Sequence, residues 1–403
     1  MKILMLTPYL PYPLLSGGQI RTFNLLKKLS KKHQITLFAL IKEDSERQYI
    51  SELEKYCYKV KVFKRSKKPF TLTNIIKTAF SSFPFLVIRN HAKQTVSAVK
   101  KELESGGFDL IHAETFYMMP HIPATKIPII LVEQTIEYLG YESFAKKNNL
   151  GILKVLLSID INKIKKWEHH YWNSCTKLIV MSEEDKKLIS EEIDNPAKID
   201  VVSNGVDVGW FESKPKNLPD SPTILSVGTF KWLPNVEAVE FLVEKIWPKI
   251  KVLLPQTKLW IVGNAPTKEV FEYQRKDSSI TVTGGIPDIR DAFNGAHVLV
   301  APVFSGKGTR YKILEAMASE TPIVATPTAV EGLGVTHNQH VLISNNADEM
   351  AKQAVKLLKD KDLRKRLASN SKKFVAQYYD WGPISLKLDK IYKSMISGEN
   401  TTN

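Results

Sequence analysis

The apolar residues of this chain form short runs, and amphipathic stretches separate them. The stretch at 18–29, for example, places Ile20, Phe23, Leu26 and Leu29 on one helical face. In the first half, the runs that predict buried strands are residues 3–6, 34–41, 59–63, 108–113, 127–132, 178–181 and 199–202. Strands that alternate with helices predict a parallel sheet with its ligand at the carboxyl ends of the strands.

The same alternation starts again in the second half. The predicted strands are residues 223–227, 258–262, 280–283, 296–304 and 322–325, and the predicted helices are 236–252, 286–294, 347–359 and 363–378. This pattern predicts an α/β protein of two doubly wound Rossmann-like domains that face each other across a cleft. We assign residues 1–207 to the N-terminal domain, 208–378 to the C-terminal domain, and 379–403 to a helix that returns to the N-terminal domain.

One stretch, residues 305–321, has the composition of a diphosphate-binding loop followed by a helix. Gly306 and Gly308 allow backbone N–H groups to approach an anion closely, and a helix N-terminus adds unpaired donors. The cations of the stretch are Lys307, Arg310 and Lys312. Glu315 lies about two turns into the predicted helix, at a place suited to holding a neighbouring sugar hydroxyl.

The first domain offers two further signals. Gly17 and Gly18 open a helix after the first predicted strand, where paired glycines let a ligand sit against the backbone. Such glycines are also typical of an ordinary turn, and the loop lacks the G-x-G-x-x-G dinucleotide fingerprint. The polar residues at the ends of two later strands are His112, Glu114, Glu133 and Gln134. In a parallel sheet these positions lie at the ligand edge, although solvated loops carry such residues as well.

The net charge of +15 is concentrated in the first hundred residues, which hold 19 Lys or Arg and 5 Asp or Glu. The densest basic run, 59–68, precedes an apolar-rich segment at 69–88. Such a patch attracts nucleic acid, an anionic membrane surface or a phosphorylated substrate, and it also serves simply to keep a protein soluble. Because the run lacks a nucleic-acid-reading motif and interleaved stacking aromatics, we expect no nucleic-acid partner.

Cysteine usage and hydropathy bear on the compartment. Cys57 and Cys175 are too few and too far apart for a disulfide framework or a metal cluster, which favours a reducing environment. The first apolar run ends at Pro8, too early for a signal peptide, and no run reaches the length of a membrane span. We therefore expect a cytoplasmic protein whose contact with the inner face of the cell membrane, where there is any, is peripheral.

Several motifs occur in a fixed order along the chain. They are Gly17-Gly18, E-Q-T-I-E-Y at 133–138, N-G-V-D at 204–207, S-V-G-T-F-K-W-L-P-N at 226–235, I-V-G at 261–263, the stretch 305–321, and P-T-A-V-E-G-L at 327–333. Together they resemble the retaining glycosyltransferases of the GT-B fold, family four (glycosyl transferases group 1), over nearly the whole chain. The stretch 305–321 with its continuation is the most specific part of the resemblance.

The resemblance implies a metal-independent enzyme of hexosyltransferase type that transfers a sugar with retention of configuration. The donor would be a nucleotide diphosphate sugar, which is a co-substrate, so that no cofactor is expected. The acceptor would be a hydroxyl of a lipid-linked or saccharide molecule in surface polysaccharide or glycolipid synthesis. The basic first hundred residues suit a lipid diphosphate acceptor at an anionic membrane.

The resemblance also implies a set of site residues. Those expected to bind the donor are Gly17, Gly18, Gly228, Gly263, Gly306, Gly308, Thr309, Arg310, Lys312 and Glu315. Those expected to take part in catalysis are Lys231, Arg310, Glu114 and Glu133. Within these sets, Glu315 would hold the ribose, and Lys231, Arg310 or Lys312 would contact the phosphates.

Three positions depart from the family pattern. Lys307 stands where a second glutamate is common, although the G-x-G-T-R-x-K form resembles one branch of the family. Thr229 replaces a basic residue, and Lys231 follows two positions later. Glu114 or Gln134 stands where a histidine often faces the sugar. Two other interpretations stay open: a sugar-nucleotide epimerase on the same fold, and a non-catalytic sugar-nucleotide-binding subunit.

Overall fold

A computed structural model of the protein describes residues 1–147, 151, 153–306, 308 and 310–397. The chain divides into two compact units. Unit 1 consists of Met1–Asn204 and the chain from Ile384 onward, and unit 2 consists of Gly205–Pro383. Each unit is organised around one parallel β-sheet.

Unit 1 contains a seven-stranded sheet. Its strands are β1 (Lys2–Thr7), β2 (Gln34–Ile41), β3 (Lys59–Lys64), β4 (Leu110–Glu114), β5 (Ile129–Glu133), β6 (Lys177–Val180) and β7 (Ile199–Val201). Its α-helices before residue 204 are α1 (Gly17–Leu29), α2 (Ile50–Glu54), α3 (Leu72–Phe80), α4 (Phe85–Asn90), α5 (Lys93–Gly106), α6 (Glu137–Lys147), α7 (Leu153–Ser174) and α8 (Glu183–Ser190). The strand order β3-β2-β1-β4-β5-β6-β7 changes direction between β1 and β4, where doubly wound sheets leave a ligand crevice.

Unit 2 contains a six-stranded sheet of order β10-β9-β8-β11-β12-β13. The strands are β8 (Thr223–Val227), β9 (Lys258–Val262), β10 (Ile280–Thr283), β11 (Val298–Ala301), β12 (Ile323–Ala325) and β13 (Leu342–Ile343). The α-helices are α9 (Val208–Glu212), α10 (Leu233–Phe241), α11 (Trp247–Leu253), α12 (Lys268–Lys276), α13 (Arg290–Asn294), α14 (Tyr311–Ala318), α15 (Pro327–Val330), α16 (Ala347–Lys359) and α17 (Lys361–Tyr378). A last helix, α18 (Trp381–Ser397), begins in unit 2 and continues into unit 1.

The strands of unit 2 divide their side chains between two hydrophobic cores. Ile224 and Val298 belong to one core, whereas the next residues along each strand, Leu225 and Leu299, belong to the other. Because successive strand residues point to opposite faces, both faces of the sheet are covered. Burial on both faces also explains why the strands appear in the sequence as uninterrupted apolar runs rather than as alternating ones.

Most predicted helices form with bounds shifted by a few residues. The predicted helix at 236–252 is built as α10, a π-helical turn at Leu242–Ile246, and α11. Pro248 lies at the start of α11 and cannot donate a backbone hydrogen bond, which favours the wider turn before it. Helices α3, α4, α6, α9, α12 and α15 were not predicted. Of these, α12 buries only Val270, so it lacks a buried apolar repeat.

The chain passes from one unit to the other twice. The two connecting segments are hydrogen-bonded to each other within unit 2. The Val206 N–H donates to the Tyr379 carbonyl at 2.8 Å, and the Val208 N–H donates to Asp380 Oδ2 at 3.2 Å. Beyond Pro383, α18 packs in unit 1 through polar contacts that are described below.

Unit 1 exposes apolar side chains on two neighbouring helices, α3 and α7, and just before α3. We call this set the apolar face; it consists of Phe70, Leu72, Ile75, Ile76 and Phe80, together with Val155, Leu156 and Ile159. Exposure ranges from 50% at Ile75 to 91% at Phe80. Lys163 on α7 joins the two helices by donating to the carbonyls of Thr78 at 2.6 Å and Ser81 at 2.7 Å. Within the described part of the chain, no helix combines the length and the apolar character that crossing a membrane requires.

Candidate active site

Two glycines are fixed by the close approach of strands β8 and β9. A Cβ atom on Gly263 would lie 1.6 Å from the Gly228 carbonyl oxygen, and the Gly228 N–H donates to the Val262 carbonyl at 3.0 Å. A Cβ atom on Gly228 would in turn lie 2.8 Å from Cγ of Asn235. Both positions therefore require glycine for packing at the carboxyl edge of the sheet, whatever ligand approaches them.

Asn235 connects this edge to helix α14. Its Nδ2 donates to the Thr229 carbonyl at 2.9 Å, and its Oδ1 accepts from Nζ of Lys312 at 2.9 Å. Burial, together with the nearby charge of Arg310, lowers the pKa of Lys312 to about 8, and Glu315 partly opposes the shift. Lys312 is therefore a half-buried cation held beside the loop that follows β8.

The guanidinium of Arg310 is hydrogen-bonded to backbone carbonyls that precede α14. Nη2 of Arg310 donates to the carbonyls of Ser305 at 2.9 Å and Gly306 at 2.6 Å. Gly306 and Gly308 both have φ of +91°, a conformation that favours glycine. Nε of Arg310 is buried and has no hydrogen-bond partner among the described residues. Lys307 and Thr309, which the sequence also placed in this loop, lie outside the described residues.

Glu315 completes the group on α14. It lies three residues after Lys312, so the two side chains share one face of the helix. Burial raises the pKa of Glu315 to about 7, and the charge of Lys312 partly offsets this rise. The structure thus brings Arg310, Lys312 and Glu315 to one place with Gly228 and Gly263. Lys231 lies in the same loop as Gly228, with its side chain exposed.

At the carboxyl edge of unit 1, a polar network surrounds the start of α1. Nε2 of Gln134 donates to Oη of Tyr9 at 2.7 Å and to Oε2 of Glu114 at 2.6 Å. A Cβ atom on Gly18 would lie 2.6 Å from Oη of Tyr9, so only glycine fits there. Gly17 is the first residue of α1. Three of the residues expected from the sequence, Gly18, Glu114 and Gln134, therefore lie together.

Glu133 lies on the other face of the sheet. Glu114 pairs with Val132 across the two strands, so Glu133, the next residue, points away from Glu114. One oxygen of Glu133 accepts from Nε1 of Trp172 at 3.2 Å, and the other has no partner among the described residues. Burial, reinforced by the charge of Glu168, raises the pKa of Glu133 well above its ordinary value. The structure therefore does not bring the two predicted catalytic carboxylates together.

Through His112, which the sequence placed at a strand end, the network around Glu114 extends to residues that the sequence patterns did not indicate, Tyr392 and Arg21. Nε2 of His112 lies 3.1 Å from Oε1 of Glu114, and Nδ1 of His112 lies 2.6 Å from Oη of Tyr392 on α18. Burial alone would raise the pKa of Glu114, but the hydrogen bond from His112 and the charges of His112 and Arg21 hold it below its ordinary value. Glu114 is thus a fully buried carboxylate that stays ionised near neutral pH.

Two family models match the chain. The model described as Glycosyltransferase Family 4 matches residues 15–210, and the model described as Glycosyl transferases group 1 matches residues 221–360. The second match includes Gly228, Gly263 and the group on α14. The chain belongs to glycosyltransferase family four.

Curated relatives of this family-four glycosyltransferase span most of its length. An uncharacterized 44.6 kDa protein in the cps region of Klebsiella pneumoniae is 22% identical over 391 residues, which is 94% of this chain and 96% of that protein. A phosphatidyl-myo-inositol mannosyltransferase of Mycolicibacterium smegmatis is 24% identical over 307 residues, 74% of each chain.

Solved structures share the fold of this family-four glycosyltransferase. A glycosyltransferase from Rickettsia africae superimposes with a TM-score of 0.69 at 15% identity, over 99% of both chains. HepE of Anabaena in complex with UDP superimposes with a TM-score of 0.67 at 16% identity, over 98% of this chain and 100% of that one. The predicted GT-B class, with two Rossmann-like domains, is confirmed.

Proposed function

We propose that this family-four glycosyltransferase transfers a sugar, with retention of configuration, from a nucleotide diphosphate sugar to a hydroxyl of a lipid-linked or saccharide acceptor. The observation that carries the proposal is the group of Arg310, Lys312 and Glu315 beside the loop after β8. Two half-buried cations suit a diphosphate, and a neighbouring carboxylate suits the hydroxyls of a ribose.

The relatives support this choice of substrates. HepE was solved with UDP, one relative is a phosphatidyl-myo-inositol mannosyltransferase, and another is a protein in a cps region. We therefore assign the enzyme to surface polysaccharide or glycolipid synthesis, with transfer of a hexose.

In the proposed reaction, the bond between the anomeric carbon and the β-phosphate oxygen breaks, and its electron pair leaves with the nucleotide diphosphate. Arg310 and Lys312 neutralise the charge that develops on the phosphates. The acceptor oxygen forms its new bond on the face that the leaving group vacates, and its proton passes to the departing phosphate. Because fixed cations supply the charge neutralisation, we propose that the step needs neither a metal ion nor a cofactor.

Unit 1 would supply the acceptor side of this reaction. Its buried, ionised Glu114 is the carboxylate that we assign to the acceptor hydroxyl. Lys231 is assigned to the donor phosphates on the strength of its exposed position after β8.

The donor assignment is tested with Arg310→Ala and Glu315→Ala. We expect each substitution to lower kcat/KM for the preferred sugar nucleotide by about a hundredfold or more, because each removes a group that contacts the donor. The measurement is release of nucleoside diphosphate from a panel of sugar nucleotides in the presence of a membrane lipid extract. Arg366→Ala is the matched control, since that exposed arginine bonds to Asn338 and to no other described residue.

Two results would contradict the proposal. Normal turnover in both Arg310→Ala and Glu315→Ala, with unchanged thermal unfolding, would place the donor elsewhere. Conversion of the sugar nucleotide to an epimer without any acceptor would identify an epimerase instead.

We also propose that the enzyme works in the cytoplasm and contacts an anionic membrane peripherally, through the apolar face. Eight exposed apolar side chains on and beside helices α3 and α7 support this contact. The chain around them is basic, since residues 55–101 contain no Asp or Glu. Apolar side chains flanked by lysines are typical of surfaces that bind anionic bilayers.

A further inference from the structure

Two arginines of unit 1, Arg65 and Arg89, are half-buried without an ion-pair partner among the described residues. Nη1 of Arg65 donates to Oδ1 of Asn90 at 2.5 Å, which places Arg65 next to the residue that follows Arg89. The Nε of each arginine is buried and makes no hydrogen bond among the described residues. Each guanidinium therefore keeps a shielded donor without an acceptor.

This arrangement is unfavourable in the empty protein. Burial lowers the pKa of Arg65, and the like charge of Arg89 lowers it further. Two carboxylates act on the arginines at longer range: Glu46 on Arg65, and Glu137 on Arg89. Burial raises the pKa of Glu137 to about 7, so this carboxyl is only partly ionised near neutral pH. Half-buried charges with unused donors are ordinarily paired, and the missing partner here is an anion.

The position of the pair is that of a ligand site. The Arg65 N–H donates to the Ile41 carbonyl at 2.9 Å, at the carboxyl end of the sheet, where open parallel sheets bind their ligands. Arg89 lies in the last turn of α4, which packs against the short helix Phe116–His121 that follows β4. Tyr117 of that short helix interacts electrostatically with both arginines, so elements after two strands converge there.

We propose that Arg65 and Arg89 bind a phosphate group of the acceptor, so that the acceptor substrate is a phosphorylated molecule. Guanidinium groups match phosphate oxygens with paired N–H donors, and two of them suit a phosphate or a diphosphate. The assignment to the acceptor rests on the proposed function, in which Arg310 and Lys312 of unit 2 already serve the donor diphosphate. The anion site itself does not depend on that assignment.

The site is tested by calorimetric titration of the full-length protein with inorganic pyrophosphate. We expect two binding events in the native protein, one of them lost in Arg310→Ala and the other weakened at least about tenfold in Arg65→Gln and in Arg89→Gln. Arg89→Lys should retain part of the affinity because it keeps the charge. Arg47→Gln, on the exposed surface of unit 1, is the control and should bind as the native protein does.

Thermal unfolding separates a ligand-binding role from a structural one. Without anion, we expect Arg89→Gln to unfold at the same temperature as the native protein or higher, because it removes an uncompensated charge. With pyrophosphate, the native protein should be stabilised more than the variant. If Arg65→Gln and Arg89→Gln both bind two pyrophosphates with native affinity, the proposal is overturned. In that case, a lower unfolding temperature of the two variants would show that the arginines have a structural role.

The source of the phosphate is identified with vesicles. Phosphatidylcholine vesicles that contain phosphatidic acid should capture the native protein. If Arg65→Gln and Arg89→Gln both lose this capture, the phosphate that the site binds belongs to a lipid. If the vesicles capture both variants as well as the native protein, but the variants no longer bind pyrophosphate, the acceptor is a soluble phosphorylated molecule. If neither probe depends on the two arginines, there is no phosphate site at this place. Donor turnover measured in parallel distinguishes this failure from a failure of the proposed function, because donor binding depends on Arg310 instead.

Discussion

Burial controls the ionisation of the two titratable residues that α14 presents at the candidate donor site. The pKa of Glu315 rises to about 7 and that of Lys312 falls to about 8, in each case chiefly because of burial. Both side chains are therefore charged together only in a narrow pH range, between the two values. Each charged form has a part in the proposed donor complex, Glu315 as an acceptor for ribose hydroxyls and Lys312 as a partner for phosphate.

We expect donor affinity to be highest in that range. Below it, Glu315 gains a proton and accepts hydrogen bonds poorly, and above it, Lys312 loses the charge that attracts phosphate. Titration of a sugar nucleotide over the pH range, followed by calorimetry, gives the profile. Glu315→Gln should lose the acidic limb and keep the alkaline one. A profile that does not change with pH, or an acidic limb that survives in Glu315→Gln, would argue against these roles.

The two carboxylates at the strand ends of unit 1 should differ in their effect on turnover. Glu114→Gln removes a buried negative charge that His112 and Gln134 hold in place, and we expect kcat to fall at least about tenfold. Glu133→Gln should change kcat less than about twofold, because Glu133 lies on the other face of the sheet from Glu114. The measurement is kcat at saturating donor and acceptor. Equal losses in both variants would contradict this distinction.

Sequence patterns indicated some residues of the site and missed others for a physical reason. Glu114 and Gln134 were expected at strand ends, and the alternation of strand residues accounts for their contact. Tyr9, Arg21 and Tyr392 were not expected. Tyr392 reaches His112 across 280 positions of the sequence, and no local periodicity specifies a contact of that kind. Strands and amphipathic helices could be predicted because they depend on near neighbours in the chain.

Helix α3 shows at the scale of one element what a pattern leaves open. It buries Asn74, the residue between its apolar positions, while its apolar residues stay exposed. Nδ2 of Asn74 donates to the Pro69 carbonyl at 2.8 Å, which fixes the helix against the preceding loop. The apolar spacing alone would predict that the apolar residues face the core. The structure turns them outward, and this orientation suggests a surface for the bilayer.

We expect the double substitution Ile75→Ser with Phe80→Ser to weaken binding to anionic vesicles about tenfold or more, because both side chains would otherwise enter the lipid boundary. Cosedimentation with vesicles of phosphatidylcholine and phosphatidylglycerol measures the effect. Val252→Ser, which is 81% exposed on unit 2, is the matched control. Lys68→Glu with Lys77→Glu should also weaken binding, and added salt should do the same.

Two outcomes would count against the membrane contact. Vesicle binding that does not change in either double variant would exclude the apolar face as the contact surface. Self-association of the native protein that the serine variant abolishes would show that a second copy of the chain covers this face.

At the scale of the whole chain, α18 joins unit 1 after the chain has passed through unit 2. Asp389 on this helix accepts from Nε2 of His33 at 2.8 Å, from Lys32 at 3.1 Å and from Lys393 at 3.0 Å. Burial alone would raise the pKa of Asp389, but these three partners hold it below its ordinary value. A carboxylate with a lowered pKa stabilises the fold above its unfolded pKa, and this stability is lost as the pH falls through its folded pKa.

We expect Asp389→Asn to destabilise unit 1 by about 1–3 kcal/mol, because it removes a charged acceptor that three donors share. Hydrogen exchange should become faster in β1, β2 and α18 and stay unchanged in the strands of unit 2. The difference from the native protein should shrink in acid, where the native carboxyl is also protonated. Asp348→Asn, at an exposed ion pair with Lys249, should have little effect. Equal acceleration in both units would show that α18 does not stabilise unit 1 selectively.

The path of the chain also sets an order of events on the ribosome. All seven strands of unit 1 are synthesised before unit 2, yet the part of α18 that belongs to unit 1 emerges only after unit 2 is finished. During that interval His33 and His112 lack the partners that α18 supplies, whereas every strand of unit 2 is already available. Unit 2 is thus able to mature first, whereas two buried histidines of the nascent unit 1 must wait for partners that translation delivers later.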